Sequence, residues 1–180
     1  MKCKIQKVAV LTSGHSRFDT RIFYKQSLSL SKKYQVYLIV TDGLGNKKVG
    51  NIEILDVGKP INRLYRFFVT PFVVYKNALK TKADVYHLHD PELLFISCLL
   101  KERKVKVIFD SHEDYQVQIL FRPYLYKYFT FVISKLLFLY LLFFLPKVDG
   151  IVCATDEIKR RLIRFNKNIV TIKNYPITEK

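Results

Sequence analysis

The chain has 180 residues, 49% hydrophobic and 26% charged, with Gly 6 and Pro 6. This is the balance of one globular domain that buries roughly two thirds of its unfolded surface, which excludes a disordered or linker-rich chain and removes any need for a metal or disulfide staple. Lys and Arg number 31 against 15 acids, a formal charge of +16, which draws the protein toward nucleic acid, anionic headgroups or phosphorylated ligands without choosing among them.

The N-terminus MKCKIQKVAVLTSGHS carries lysines, but its apolar run, Val8 to Leu11, is too short for a signal-peptide core and reads as a first strand over 8–12. A helical stretch follows over 20–33 and a second strand over 35–41. Further strands are predicted at 51–57, 83–88, 105–110, 150–154 and 169–172, with helices at 62–81, 91–102, 115–145 and 155–165 between them. Thr155 is a candidate cap for the last helix, and Pro91 with Glu92 suits the first turn of another. The alternation predicts an α/β, Rossmann-like, mostly parallel sheet with helices on both faces.

The cysteines Cys3, Cys98 and Cys153 are odd in number, far apart and without CxxC spacing, which fits a reducing cytoplasm. The basic residues are dispersed in pairs such as Lys32-Lys33 and Arg160-Arg161, with no single stripe and no reader motif, so no nucleic-acid partner is expected.

The segment 121–147, FRPYLYKYFTFVISKLLFLYLLFFLPK, is unusually aromatic and aliphatic. Its uninterrupted apolar run, Leu136 to Leu145, makes about 15 Å of helix, half of a hydrocarbon core of about 30 Å. We read it as a helix in contact with the membrane surface through aromatic and lysine anchors; a buried core helix is the competing reading.

Two charged clusters stand at the ends of predicted strands, HLHDPE at 87–92 and FDSHEDY at 109–115. In parallel sheets ligands gather beyond the carboxyl ends of the strands, so both clusters are candidate site residues. Their structural alternative is a histidine satisfied by backbone groups. His87 and His89 share one strand face, and together with His112, Glu113 and Asp114 they are conceivable metal ligands; HEDY, however, is not HExxH, and no metal is expected. Ser13, Ser97 and Ser111 lack the GxSxG setting of a hydrolase, and LTSGHSRFDTR matches neither GxGxxG nor the P-loop.

Five stretches, FDTRIFYKQSLSLSKKYQVYLIVTDG, DVYHLHDPELL, VIFDSHEDY, VDGIVCATDEIKRRL and NIVTIKNYP, occur in order across nearly the whole chain. Together they resemble the N-terminal domain of family 4 glycosyltransferases, one half of a GT-B fold. The resemblance implies an acceptor-side domain over 1–173 and a hinge-like tail over 174–180. It further implies sugar transfer with retention from a nucleotide sugar to a lipid-linked or polysaccharide acceptor, with no metal and no other cofactor. The second, donor-binding domain is not in the 180 residues, so a separate chain is the expected partner, and a non-catalytic membrane-associated scaffold or remnant is the alternative.

The same resemblance assigns roles. His112 is the catalytic candidate, facing the donor across the cleft, with Glu113 and Asp114 tuning it. His89, Asp90 and Glu92 position an acceptor hydroxyl or shape the cleft floor. Gly14 and His15 let backbone amides approach the donor phosphates. Asp19 and Arg21 pin the first loop to the first helix or form a salt-bridged helix start, and Arg17 is read as a surface charge. A cytoplasmic location at the inner face of the membrane is expected.

Overall fold

The computed structural model describes residues 6–113 and 127–176. An eight-stranded sheet runs through it: β1 (Lys7–Leu11), β2 (Gln35–Val40), β3 (Lys47–Val49), β4 (Ile52–Asp56), β5 (Val85–Leu88), β6 (Lys106–Ser111), β7 (Gly150–Cys153) and β8 (Ile169–Thr171). The spatial order is β3-β4-β2-β1-β5-β6-β7-β8, parallel throughout except for β3 against β4. The order reverses between β1 and β5, which leaves a crevice at the carboxyl ends of those strands.

The strand period of two divides the core. Ala9 and Leu11 of β1 face one hydrophobic cluster, while Val8 and Val10 face the other. The first cluster is covered by α3 (Thr70–Lys80), α4 (Ile96–Lys101), α5 (Lys127–Phe144) and α6 (Asp156–Leu162). Ile22 and Phe23 of α1, whose first part spans Thr20–Ser27 and which continues over Leu28–Ser31, cover the second. Leu38, Ile39, Ile54 and Phe109 are fully or almost fully buried, each such side chain contributing about 1.5–3 kcal/mol.

Four local features depart from the expected elements. The first eight residues of α1 form π-helical turns, with Tyr24 N bonded to Asp19 O at 3.3 Å and Leu28 N bonded to Phe23 O. The single helix expected over 62–81 is two, α2 (Arg63–Phe68) and α3, because Pro71 offers no N–H and obstructs the carbonyl four residues back. The short edge strand β3 was not expected: its Lys47 and Lys48 are exposed, and a two-residue loop with Gly50 at φ 56° returns the chain into β4. The helix expected over 91–102 opens with a 3₁₀ turn, Pro91–Leu93, before α4 begins. The part of the expected 115–145 helix over 115–126 lies outside the described residues.

Candidate functional site

The loop after β1 is stitched to the loop after β5. Asp90 Oδ2 accepts from Thr12 Oγ1 and from Ser13 N, both at 2.7 Å, and Glu92 Oε1 accepts from Ser13 Oγ at 2.8 Å. Thr41 Oγ1 donates to Ser13 O at 2.9 Å, which adds β2's end to the junction. Asp90 is extended, with φ −111° and ψ 142°, as the residue before a proline must be. From α2 the guanidinium of Arg66 clasps Glu92 Oε1 at 2.7 Å through Nε and 2.6 Å through Nη2, and stands 3.6 Å from Asp90 Oδ1. Burial, and Asp90 beside it, push the Glu92 carboxyl above its usual range, against the pull of Arg66 and Ser13.

A second junction lies one strand over. Asp110, at the end of β6 and completely buried, takes the Arg21 guanidinium at 3.1–3.2 Å and the amide of Gln26. Arg21 also donates to Ile172 O at 3.0 Å, which joins α1, β6 and the chain after β8. Burial beside Asp110 pushes the thiol of neighbouring Cys153 up to about 12, so it is no nucleophile.

The chain has four histidines, and the fold brings all of them together. The rings of His87 and His89 are 4.5 Å apart, those of His89 and His112 6.3 Å, and those of His15 and His112 4.8 Å. His15 and His112 share an Nε2···Nε2 contact of 3.2 Å, and His15 Nε2 is 3.4 Å from Asp90 Oδ1. Above them opens a cleft of about 560 Å³, lined by His15, Asp19, Thr20 and Arg21 from the first loop and helix. His112 and Glu113 after β6, Ala154 and Thr155 after β7, and Asn174 complete its wall.

These positions sort the expected site residues. His112, Glu113, His15, Asp19 and Arg21 line the cleft. His89, Asp90 and Glu92 are 0%, 3% and 6% exposed; they sit beneath the rim rather than facing outward, because their strand end is covered by the β1 loop and by Arg66. Asp19 does not pair with Arg21 but caps α1, accepting from Arg21 N and Ile22 N at 2.8 Å. Arg17 is no surface charge: it is 5% exposed and bidentate to Asp42 at 2.7 and 2.6 Å. The open side of Gly14 is filled by Arg66, whose Nη2 would lie 2.2 Å from an added Cβ, and the Gly14 and His15 amides turn inward to Thr12 Oγ1 at 3.4 and 3.1 Å. Asp114 lies outside the described residues.

Two residues that build the site were given no role by sequence reasoning. Asp110 is a lone carboxylate ending an apolar strand, a signal present in VKVIFD. Arg66 sits in a long basic and aromatic stretch with nothing to single it out. As metal ligands, His89, Asp110 and His112 offer atoms spread over up to 4.8 Å, wider than the roughly 3.3 Å separating ligands on one tetrahedral zinc. The Asp110 carboxylate is already matched by Arg21, so the set fits a cation poorly.

Residues 20–175 match the model of glycosyltransferase family 4. The chain belongs to that family. Solved structures with the same fold include sucrose-phosphate synthase from Thermosynechococcus elongatus, with TM-score 0.65 and 12% identity over 93% of this chain and 48% of that one. UDP-N-acetylglucosamine 2-epimerase from Rickettsia bellii matches with TM-score 0.59 and 13% identity over 93% and 44%. An E. coli structure described as trehalose-6-phosphate bound with UDP-2-fluoro glucose matches with TM-score 0.58 and 13% identity over 91% and 43%. No curated protein matches in sequence. The family 4 chain thus spans about half the length of the structures it resembles, and its parallel sheet is one half of a GT-B fold.

Proposed function

We propose that this family 4 domain is the acceptor-side half of a glycosyltransferase, working at a membrane surface on a lipid-linked or polysaccharide acceptor. The nucleotide-sugar-binding half is carried by a further stretch of chain or by a separate one, and closes over the cleft. The observation that carries this reading is the position of His112. It stands at the end of β6, on the cleft wall, with its Nε2 against His15 and its Nδ1 3.8 Å from Asp110.

Departure of a nucleotide phosphate leaves an electron pair and negative charge on the leaving oxygen. The His112 Nε2–H, once it exchanges its contact with His15 for the phosphate, stabilises that charge where it develops. Arg21 and Asp110 hold β6 and α1 in register behind His112, and His15 supplies the partner that orients its ring. Transfer with retention and without a metal is expected from the family. The related E. coli structure, described as bound with UDP-2-fluoro glucose, supports a nucleotide sugar as donor.

The described part of the 121–147 segment supports the membrane contact. The helix over Thr130–Lys147 has a mean hydropathy of 1.7 and only 17% of it is buried. Leu141 and Leu145 dock it on the sheet, while Phe131, Leu136, Leu139 and Phe143 face outward. A helix held by one stripe in the core lies along a bilayer surface rather than crossing it.

The test is release of nucleotide from nucleotide sugars in the presence of anionic lipid acceptor and the donor-binding half, with and without this domain. Release that requires both halves is expected. Membrane binding together with release that proceeds equally without this domain would instead favour a non-catalytic scaffold.

A further inference from the structure

Helix α2 has six residues and none of them is buried. Ile61, Leu64 and Phe68 are 80%, 71% and 69% exposed, and Phe67 and Phe72 are half exposed. So short a helix does not sustain itself in water, where nucleation outweighs its few hydrogen bonds. Contiguous exposed apolar side chains mark a surface that something covers. Phe72 rests on Phe95, while Ile61, Leu64 and Phe68 stand open to solvent among the described residues.

Charge identifies the partner. Between Asp56 and Asp84 the sequence holds no acid, while Lys59, Arg63, Lys76, Lys80 and Lys82 are basic; the remaining cation, Arg66, is already matched by Glu92. The same holds between Asp114 and Asp149, where Lys135 and Lys147 lean over the rings of Phe131 and Phe143 at 4.8 and 3.4 Å. An apolar face fringed by cations alone matches an anionic bilayer, with aromatic and leucine side chains at the acyl boundary and amines among the headgroups. A protein partner of mixed charge gains nothing from so one-sided a fringe.

The two surfaces are also physically joined. α2 passes at Val69 into α3, the Phe72 ring of α3 lies 4.9 Å from that of Phe95, and Phe95 N is bonded at 3.1 Å to the Tyr140 hydroxyl of α5. We infer that Ile61 to Phe72 is a second anionic-lipid docking element, laid on the same bilayer as the outer stripe of α5. It deepens the membrane-surface reading above and stands apart from sugar transfer. Its consequence is positional: α2 also carries Arg66, which clasps Glu92 and covers Gly14. Docking through α2 therefore places the rim of the β1 loop at the lipid surface, where a lipid-linked acceptor enters.

The chain has no tryptophan, so Phe68→Trp and, in a separate protein, Leu139→Trp are single reporters on exposed sites. Each is mixed with vesicles of phosphatidylglycerol or of phosphatidylcholine whose acyl chains are brominated. The Phe68→Trp reporter is expected to emit as a solvated indole without lipid, then to shift blue and be quenched by the anionic vesicles alone. Adding Leu64→Glu to it is expected to weaken partitioning roughly tenfold or more. Quenching of the Leu139→Trp reporter while the Phe68→Trp reporter stays open to aqueous acrylamide would overturn the inference and leave α5 docking intact. Absence of quenching in both would overturn the two together. Shielding of the Phe68→Trp reporter before lipid is added would also overturn it, with light scattering telling a second copy from another part of the same chain. Sugar transfer does not enter this readout, so its failure leaves the docking result standing.

Discussion

His15 and His112 meet with their Nε2 atoms 3.2 Å apart, one ring from the loop after β1 and the other from the end of β6. The contact holds only when one ring presents N–H and the other a lone pair, so each fixes the other's tautomer and orientation. Behind them His89 and His87 continue the row into the core. His15 and His112 form the solvent-facing end of the row, where the proposed chemistry lies, while His87 and His89 are buried.

The buried end sets a pH dependence. His87 is held below 6.5 chiefly by burial, against Asp110 and with help from Arg21; His89 lies well below 6.5 through burial and then the charges of His87, His112, His15 and Arg21. Between the depressed folded value and 6.5 the unfolded chain binds more protons than the folded one, so stability rises with pH and is lost as pH falls below about 6.5. Glu92 has the opposite sign: its raised folded value makes stability fall as pH rises from 4.5. Urea unfolding across this window is expected to show a flatter acid limb for His89→Gln and a steeper one for Glu92→Gln. Identical slopes in all three proteins would contradict the assignment.

Asp110→Asn leaves the Arg21 guanidinium buried without its counter-charge. A loss of about 3–5 kcal/mol in unfolding free energy is expected. Glu157→Gln, which breaks the exposed pairs with Arg160 and Arg161, is expected to change little. Comparable losses in the two variants would show that the buried pair is not what holds α1 to β6.

The seven parallel strands were legible because buried strands of a doubly covered sheet are short apolar runs, such as Val8 to Leu11 and Val107 to Phe109, punctuated by polar loops. The strand ends at His87–Glu92 and Asp110–Glu113 were legible for the same reason, since charge follows immediately on apolar sequence. The antiparallel strand β3 was hidden because Lys47 and Lys48 carry the charges that protect a sheet edge and so resemble a loop. Long-range pairing was hidden altogether. Asp19 and Arg21 stand two residues apart, yet one caps its own helix while the other reaches Asp110. Arg66 and Gly14 meet only because α2 lies against the loop after β1. The right half of segment 121–147 was equally ambiguous: a helix apolar on all sides reads as core or membrane, and here one stripe is docked and the other is not.

Gly14 and Arg66 are expected to be coupled. Gly14→Ala places a methyl within 2.2 Å of Arg66 Nη2 and displaces the guanidinium from Glu92. In an Arg66→Ala background the same methyl meets no guanidinium, so the cost of Gly14→Ala is expected to shrink. Strict additivity in a double-mutant cycle on unfolding free energy would place Arg66 elsewhere in solution.

The two stripes of α5 are expected to respond oppositely. Leu141→Ala opens a cavity beneath the helix and costs about 2–5 kcal/mol, with vesicle partitioning kept where the protein folds. Leu136→Ala, at 60% exposure, is expected to leave stability within about 0.5 kcal/mol and to weaken partitioning. A reversal of the two outcomes would mean that the helix docks by the other face.

The most direct measurement is turnover of the complete enzyme, with the donor-binding half present, when His112 is replaced. His112→Ala is expected to lower kcat by about two orders of magnitude or more while circular dichroism and acceptor-membrane binding stay those of the parent protein. Parental turnover in that variant would contradict the account, because the imidazole at the end of β6 would then have no part in releasing the nucleotide.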